Sequence, residues 1–63
     1  MKNNIKILRK KMDITQEELA TKMGVTRQTI NAIENNKYNP TLELALNIAK
    51  FLEEPVEKIF QNN

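Results

Sequence analysis

Side chains able to make directional hydrogen bonds are concentrated in one segment of this 63-residue chain, RQTINAIEN at residues 27–35. If the segment is a helix, steps of about 100° per residue put Ile30 and Ile33 on one side and polar residues on the other. The outward residues are Gln28, Asn31 and Asn35, with Arg27 and Thr29 beside them. A face that serves only solubility more often carries Lys and Glu, whereas amides, hydroxyls and guanidinium groups can read base edges in a major groove. The segment predicts a helix that reads nucleic acid, and an ordinary solvated face is the alternative.

Catalytic chemistry has few candidate residues in this chain. There is no His and no Cys, so the usual general base, the thiol nucleophile and thiolate metal ligands are missing. Glu17 and Glu18 are adjacent, so their carboxylates diverge by about 100° around a helix and do not form a pair. We therefore predict that the protein is not an enzyme and has no catalytic residue, no metal site and no cofactor. We also expect no small-molecule ligand.

Two short helices joined by a tight turn would hold the polar face in place. Gly24, the only glycine, lies between them at a position that favours positive φ, which a Cβ would strain. Thr15 and Glu18 have the spacing of a capping box at the start of the first of these helices, and Thr26 can cap the second. The small side chain of Ala20, on the inner face, lets the two helix backbones approach closely. This stretch therefore predicts a helix-turn-helix unit.

Beyond this unit, the sequence resembles a known family over nearly its whole length, from about Lys6 to Phe60. The resemblance is carried by LRKKMDITQEELATKMGVTRQTINAIENNKYNP, followed by TLELALNIAKFL and VEKIF. The family motif has Gln first, Ala fifth, Gly ninth and Glu nineteenth, and these places are occupied by Gln16, Ala20, Gly24 and Glu34. The chain is similar to lambda-repressor-like helix-turn-helix domains of the Cro/cI type, the XRE family. The resemblance implies an all-α, compact five-helix domain in which helices 2 and 3 form the helix-turn-helix.

The same resemblance implies which residues contact DNA. The implied base contacts are Arg27, Gln28, Thr29 and Asn31, of which Thr29 touches either a base edge or a phosphate. The implied phosphate contacts, aided by helix N-termini, are Arg9, Gln16, Thr26, Asn35, Lys37 and Asn39. Arg9 and Glu34 both border apolar helix faces, so they could form an ion pair that locks two helices together, and the resemblance implies the same pair.

The remaining segments are expected to complete a single domain over residues 1–63. Three further helices are expected: one that begins after Asn3 or Asn4 and ends near Met12, one from Leu42 to about Glu53, and one from Val56 to about Phe60. The inner stripe of the first is expected to be Ile5, Leu8 and Met12. Asn36 stands where the family usually has Gly and is expected to take a positive φ. Residues 61–63 are expected to fray.

The charges of the chain are unevenly distributed. Residues 1–38 hold eight basic and four acidic side chains, a net charge of +4, whereas residues 39–63 hold two basic and four acidic ones, a net charge of −2. A positive half that contains the amide-rich helix favours nucleic acid as the partner. No apolar run approaches a membrane span and no signal-peptide core follows Met1, so we expect a cytoplasmic protein.

Together these features predict a small dimeric transcriptional repressor or regulator. It is expected to bind double-stranded DNA sequence-specifically, with its third helix in the major groove. Four apolar residues beyond the needs of one small core are expected to form a homodimer on a near-palindromic operator: Leu44, Phe51, Ile59 and Phe60. Because only three residues follow Phe60, this dimer is expected to be weak. The alternative is an all-helical protein-interaction module such as an antitoxin, which the wide apolar arc of the fourth helix and the acidic second half would serve.

Overall fold

A computed structural model of the chain describes residues 2–61, which form five helices and a two-stranded antiparallel ribbon. In chain order the elements are β1 (Lys2–Asn3), α1 (Ile5–Lys11), α2 (Gln16–Met23), α3 (Arg27–Glu34), α4 (Leu42–Leu52), α5 (Val56–Ile59) and β2 (Phe60–Gln61). The predicted five-helix architecture, with α2 packed on α3, is confirmed. None of these helices is long and apolar enough to cross a membrane.

Local signals set the ends of the helix-turn-helix formed by α2 and α3. Thr15 Oγ1 accepts a hydrogen bond from the Glu18 backbone N–H at 3.0 Å, and a Glu18 carboxylate oxygen accepts one from the Thr15 N–H at 2.8 Å. This is the predicted capping box. Thr26 caps α3 by accepting from the Thr29 N–H at 3.3 Å. Gly24 ends α2 with φ +71°, so the tight turn follows from residues within it.

The core lies between the helix-turn-helix and the C-terminal helices. Its fully buried side chains are Ile5, Leu19, Ile30, Ile33, Ile48 and Ile59. Ala20 is 3% exposed where α2 packs on α3, in agreement with the predicted close approach. α4 packs on α2 and α5 and closes the core on its other side. These contacts hold α3 by its apolar side and leave its polar side free.

α1 differs from its expected register. It ends at Lys11, and Met12 is 40% exposed instead of facing inward. The buried residues of this helix are Ile5 and Arg9, and Met12 is its C-terminal cap. The start of α1 depends on Asn3, whose Oδ1 accepts from the Ile5 N–H at 3.2 Å.

The two ends of the described chain pair with each other, which the sequence did not lead us to expect. The aligned pairs are Lys2 with Gln61 and Asn3 with Phe60. Asn4 reinforces the closure, because its backbone N–H donates to the Ile59 oxygen at 2.8 Å and its side chain donates to the Lys58 oxygen at 2.9 Å. The fraying expected at Gln61 is therefore wrong, and residues 62 and 63 lie outside the described range.

Three of the four residues expected at a dimer interface are buried within one chain. Leu44 and Phe60 are each 9% exposed, Ile59 is 0% exposed, and only Phe51 is partly exposed. The expectation that these side chains are left over from the core is wrong for Leu44, Ile59 and Phe60, because all three belong to the core, which α5 joins by packing on α4. The large apolar side chains that stay exposed on α4 are Leu42 and Leu46.

Candidate nucleic-acid interface

α3 presents the polar face predicted for it. Ile30 and Ile33 are 0% and 1% exposed, so the helix is held from the side that faces the core. The exposed polar residues of α3 and its C-terminal cap are Arg27, Gln28, Asn31 and Asn35. Thr29 is only partly exposed, and its hydroxyl lies 3.1 Å from the Thr26 hydroxyl. Three of the four residues predicted to contact bases are therefore freely accessible, while Thr29 is half-buried beside its cap.

A buried ion pair fastens α1 to the end of α3. Arg9 Nε donates to one Glu34 carboxylate oxygen at 2.8 Å, and Nη2 donates to the other at 3.2 Å. The two side chains are only 8% and 2% exposed. Arg9 Nη1 also donates to the Ile14 backbone oxygen at 2.9 Å. The predicted ion pair is confirmed, and its two-pronged geometry fixes the orientation of α3 more specifically than apolar contacts alone.

Gln16 joins this ion pair to the polar face of α3. Its side-chain N–H donates to a Glu34 oxygen at 3.0 Å, and its carbonyl oxygen accepts from the Asn31 amide at 3.5 Å. The Asn35 amide donates to Asn31 Oδ1 at 3.3 Å and to the Asn31 backbone oxygen at 2.9 Å. A series of polar contacts therefore runs from the core to the outward amides. These contacts place the Asn31 amide between Gln16 and Asn35 on the outer face of α3.

The C-terminal end of α3 is tied to the beginning of the chain. Asn36 has the predicted positive φ, +60°, and the Lys37 N–H donates to the Ala32 oxygen at 2.9 Å. The Asn3 amide donates to the Ile33 oxygen at 2.7 Å and to the Asn36 side-chain oxygen at 3.1 Å. These bonds satisfy carbonyl groups that a helix end leaves free, and they give the loop that carries Lys37 a defined start.

The residues predicted to contact phosphates differ in accessibility. Those that are exposed are Thr26, Asn35, Lys37 and Asn39, while Gln16 is partly buried. Arg9 is 7% exposed, and three of its nitrogens already donate to Glu34 and Ile14. The structure therefore gives no support to a phosphate contact by Arg9. Its role here is to hold the helix-turn-helix in shape, which its residue type alone could not distinguish from phosphate binding.

Lys10 is a candidate that sequence reasoning missed. It lines an open cleft between α1 and α2 together with Gln16 and Arg27, and the carboxylates of Asp13 and Glu17 lie in the same cleft. Lys10 therefore lies near the first residues of both α2 and α3. In the sequence it is one of three lysines in α1 with nothing to distinguish it, because only the packing of α1 brings it near α3.

Ala32 is a second missed candidate. It follows Gln28 by four residues, so the two share a face of α3, and it is partly exposed. A methyl group at this place can contact the methyl group of thymine in a major groove. The helical pattern could have identified it, but a search for hydrogen-bonding side chains passes over alanine.

The buried polar groups of residues 2–61 are used for positioning. Every buried side-chain nitrogen and oxygen in this range has a hydrogen-bond partner. Over the same range no group of three or more His, Cys, Asp or Glu residues lies close enough to hold a metal ion. The arrangement that the described residues do offer is a rigid helix with a polar outer face.

Comparison with known proteins identifies a family and several relatives of this chain. A helix-turn-helix family model matches residues 5–59. An uncharacterised HTH-type transcriptional regulator of Methanocaldococcus jannaschii is 55% identical over 60 residues, which cover 95% of this chain and 91% of the relative. A more distant relative is antitoxin HipB of Escherichia coli, which is 41% identical over 51 residues, covering 81% of this chain and 58% of HipB.

A solved structure has the same arrangement of helices. The restriction-modification controller protein C.AhdI from Aeromonas hydrophila matches with a TM-score of 0.80 and 26% sequence identity. The match covers 90% of this chain and 83% of the controller protein.

Proposed function

Because this chain belongs to the helix-turn-helix family of transcriptional regulators, which are DNA-binding proteins and not enzymes, we propose that it reads a specific double-stranded DNA sequence through α3. The observation that carries the proposal is the accessible polar face of α3, fixed from behind by the Arg9–Glu34–Gln16 contacts. A rigid helix with such a face fits a major groove about 12 Å wide. α3 enters the groove with its N-terminal half toward the base edges.

Base readout is assigned to the accessible residues of this face. Gln28 lies at the centre of the outward side, and its amide can donate and accept at once toward adenine N6 and N7. Arg27 and Asn31 lie nearby, and Asn31 is already oriented by Gln16 and Asn35. Thr29 is the least accessible of the four and contacts a base only at the edge of the interface. Ala32 adds an apolar contact.

Phosphate contacts position the helix in the groove without carrying sequence information. The proposed residues are Gln16, Thr26, Asn35, Lys37 and Asn39, with Lys10 added from its place in the cleft. Backbone N–H groups at the starts of α2 and α3 also face phosphates, because helix N-termini attract anions. The positive first half of the chain supports this assignment.

The regulator acts as a homodimer on a near-palindromic operator. A single α3 contacts few base pairs, and helix-turn-helix dimers place two recognition helices about 34–36 Å apart, one turn of DNA. A protein bound across a promoter excludes polymerase, so we propose repression as the outcome. Selection of binding sites from a random duplex library tests the proposal, and a library that yields no enriched sequence would contradict specific readout.

An interaction module of the antitoxin kind is the second candidate. It is favoured by the relative HipB, whose name describes it as an antitoxin, and by exposed acidic residues of the second half such as Glu53 and Glu57. The two functions are compatible in one protein. Salt dependence separates their contributions, because binding to random duplex DNA weakens steeply with salt when phosphates are contacted.

Replacing Gln28 by alanine is expected to reduce binding to the selected operator by roughly 1–3 kcal/mol, the usual value of one bidentate base contact. Binding to a scrambled duplex should change little, because the side chain lies at the centre of the base-reading face and not at its rim. Fluorescence anisotropy on both duplexes measures the difference. Gln61→Ala, an exposed amide in β2, is the matched control and should affect neither. Equal losses on both duplexes for Gln28→Ala would remove Gln28 from base readout.

Replacing Lys37 by alanine is expected to have the opposite pattern. Lys37 is exposed in the loop after α3, so its loss should weaken binding to every duplex alike. The slope of log affinity against log salt should fall by about one unit, the value for one phosphate contact. Titrations at several salt concentrations give the slope, and Lys58→Ala in α5 is the matched control. An unchanged slope would place Lys37 away from the backbone.

A further inference from the structure

α4 carries two exposed leucines that the core does not use. Leu42 is 74% exposed and Leu46 is 50% exposed, and their spacing of four residues puts them on one side of the helix. The other large exposed apolar residues lie outside α4: Ile7 and Met12 in α1 and its C-terminal cap, and Tyr38 in the loop before α4. α4 has already buried its opposite side against α2 and α5. Two neighbouring leucines on this exposed side of α4 form a small apolar patch that is available to a partner.

Charged and polar residues border the leucines. Glu43, Asn47 and Lys50 are exposed on the same outward half of α4. We call this surface the α4 outer face and define it as Leu42, Glu43, Leu46, Asn47 and Lys50. It combines apolar side chains with one acid and one base, so it suits a partner that offers the same combination.

The order of these residues makes the face self-complementary. The rise of an α-helix is about 1.5 Å per residue, so Glu43 and Lys50 lie about 5 Å on either side of the midpoint between Leu46 and Asn47. A two-fold axis that is perpendicular to α4 and passes beside the helix at the level of that midpoint brings each Glu43 level with the partner subunit's Lys50. The same axis brings Leu46 of the two copies together at the centre, where apolar contact is most shielded from water.

We propose that the α4 outer face binds the same face of a second copy of this chain, with α4 antiparallel to its symmetry mate. A partner of one charge sign would leave either Glu43 or Lys50 opposite a like charge, whereas a second copy pairs both. This interface rests on the proposed function in one respect. A dimer that binds two half-sites one DNA turn apart needs each α3 helix about 17 Å from the two-fold axis. The molecule measures 28 × 21 × 19 Å, so an axis at its α4 surface is compatible with that distance.

Charge reversal tests the interface through association, independently of DNA. Glu43→Lys gives a face with two cations, and Lys50→Glu gives a face with two anions. Each variant alone places two like-charged pairs across the dimer, so its dissociation constant should rise at least about tenfold. Mixing the two variants pairs cations with anions at both places and should restore association to near the wild-type value. Sedimentation equilibrium measures each case.

The mixing experiment separates interface damage from folding damage. Both reversals oppose the helix dipole of α4 and slightly destabilise each chain, but mixing leaves that effect unchanged. Recovery in the mixture therefore identifies contact between the two faces. Glu57→Lys, an exposed acid in α5, is the matched control and should leave association unchanged. Leu46→Asp should abolish association while keeping the melting temperature near the wild type, because half of that side chain is already exposed.

The association measurements decide for or against the proposed α4 interface. A wild-type chain that stays monomeric at high concentration, or variants that dimerise as well as the wild type, would overturn it. Binding to a duplex with one half-site reports on the proposed function separately, since a monomeric variant should still bind it with wild-type affinity. If the wild type binds no duplex, the proposed function fails, and the mixing experiment still decides the interface.

Discussion

Glu34→Ala should lower the free energy of unfolding by about 3–5 kcal/mol, because removal of one partner leaves the other charge of a buried ion pair without compensation. Arg9 directs two of its nitrogens at the Glu34 carboxylate, and both side chains are nearly inaccessible to water. A domain of this size rarely has more than about 3–5 kcal/mol of stability. The variant should therefore be largely unfolded at room temperature. Thermal melting followed by circular dichroism measures the loss.

Two further variants show whether the loss comes from the ion pair. Lys10→Met removes an exposed cation next to Arg9 and should change stability by no more than about 0.5 kcal/mol. Arg9→Met/Glu34→Leu removes both charges and should be more stable than Glu34→Ala, since apolar replacement of a buried pair is often close to neutral. If Glu34→Ala melts with the wild type, the pair is hydrated in solution and does not hold α3.

Ala20→Leu should destabilise the protein by about 1–3 kcal/mol, because α2 and α3 leave no space for three additional carbons. Ala20 is 3% exposed, and its backbone oxygen accepts from the Val25 N–H at 3.0 Å, so the chain around it cannot easily move aside. For a domain of this size each kcal/mol lowers the melting temperature by about 4–8 °C. Displacement of α3 from α2 should also weaken DNA binding in the molecules that remain folded.

Ala32→Leu is the matched control for this substitution. It makes the same change on the outer side of α3, where the side chain is partly exposed, and helix propensity differs little between the two residues. Its melting temperature should stay close to that of the wild type. Equal melting of the Ala20→Leu and wild-type proteins would show that the packing of α2 on α3 is looser in solution than in this structure.

Features that depend on near neighbours could be predicted from the sequence. The Thr15–Glu18 capping box, the Thr26 cap and the left-handed Gly24 each involve groups within four residues, so the residue types are sufficient. The outward face of α3 follows in the same way, because helical periodicity separates Ile30 and Ile33 from the amides. Most of the proposed base-reading surface is therefore visible in one short segment.

The residues that are buried in α1 and in the segments after α3 could not be predicted from near neighbours in the sequence. The sequence indicated that Arg9 and Glu34 could pair, but only the packed structure shows that this pair is buried and that Met12 is exposed. The buried Leu44 and the exposed Leu42 are alike in type and belong to the same helix, and only the packing of α2 and α5 distinguishes them.

The sequence by itself determined the five helices, the turn at Gly24 and the polar face of α3, since capping and periodicity act over a few residues. The tertiary structure alone decided three other features: the pairing of Asn3 with Phe60, the approach of Lys10 to the cleft beside Arg27, and the exposure of the α4 outer face. Each depends on contacts between segments far apart in the chain. Such contacts form only when the packed core fixes the relative positions of the helices, and residue type and spacing do not encode them locally.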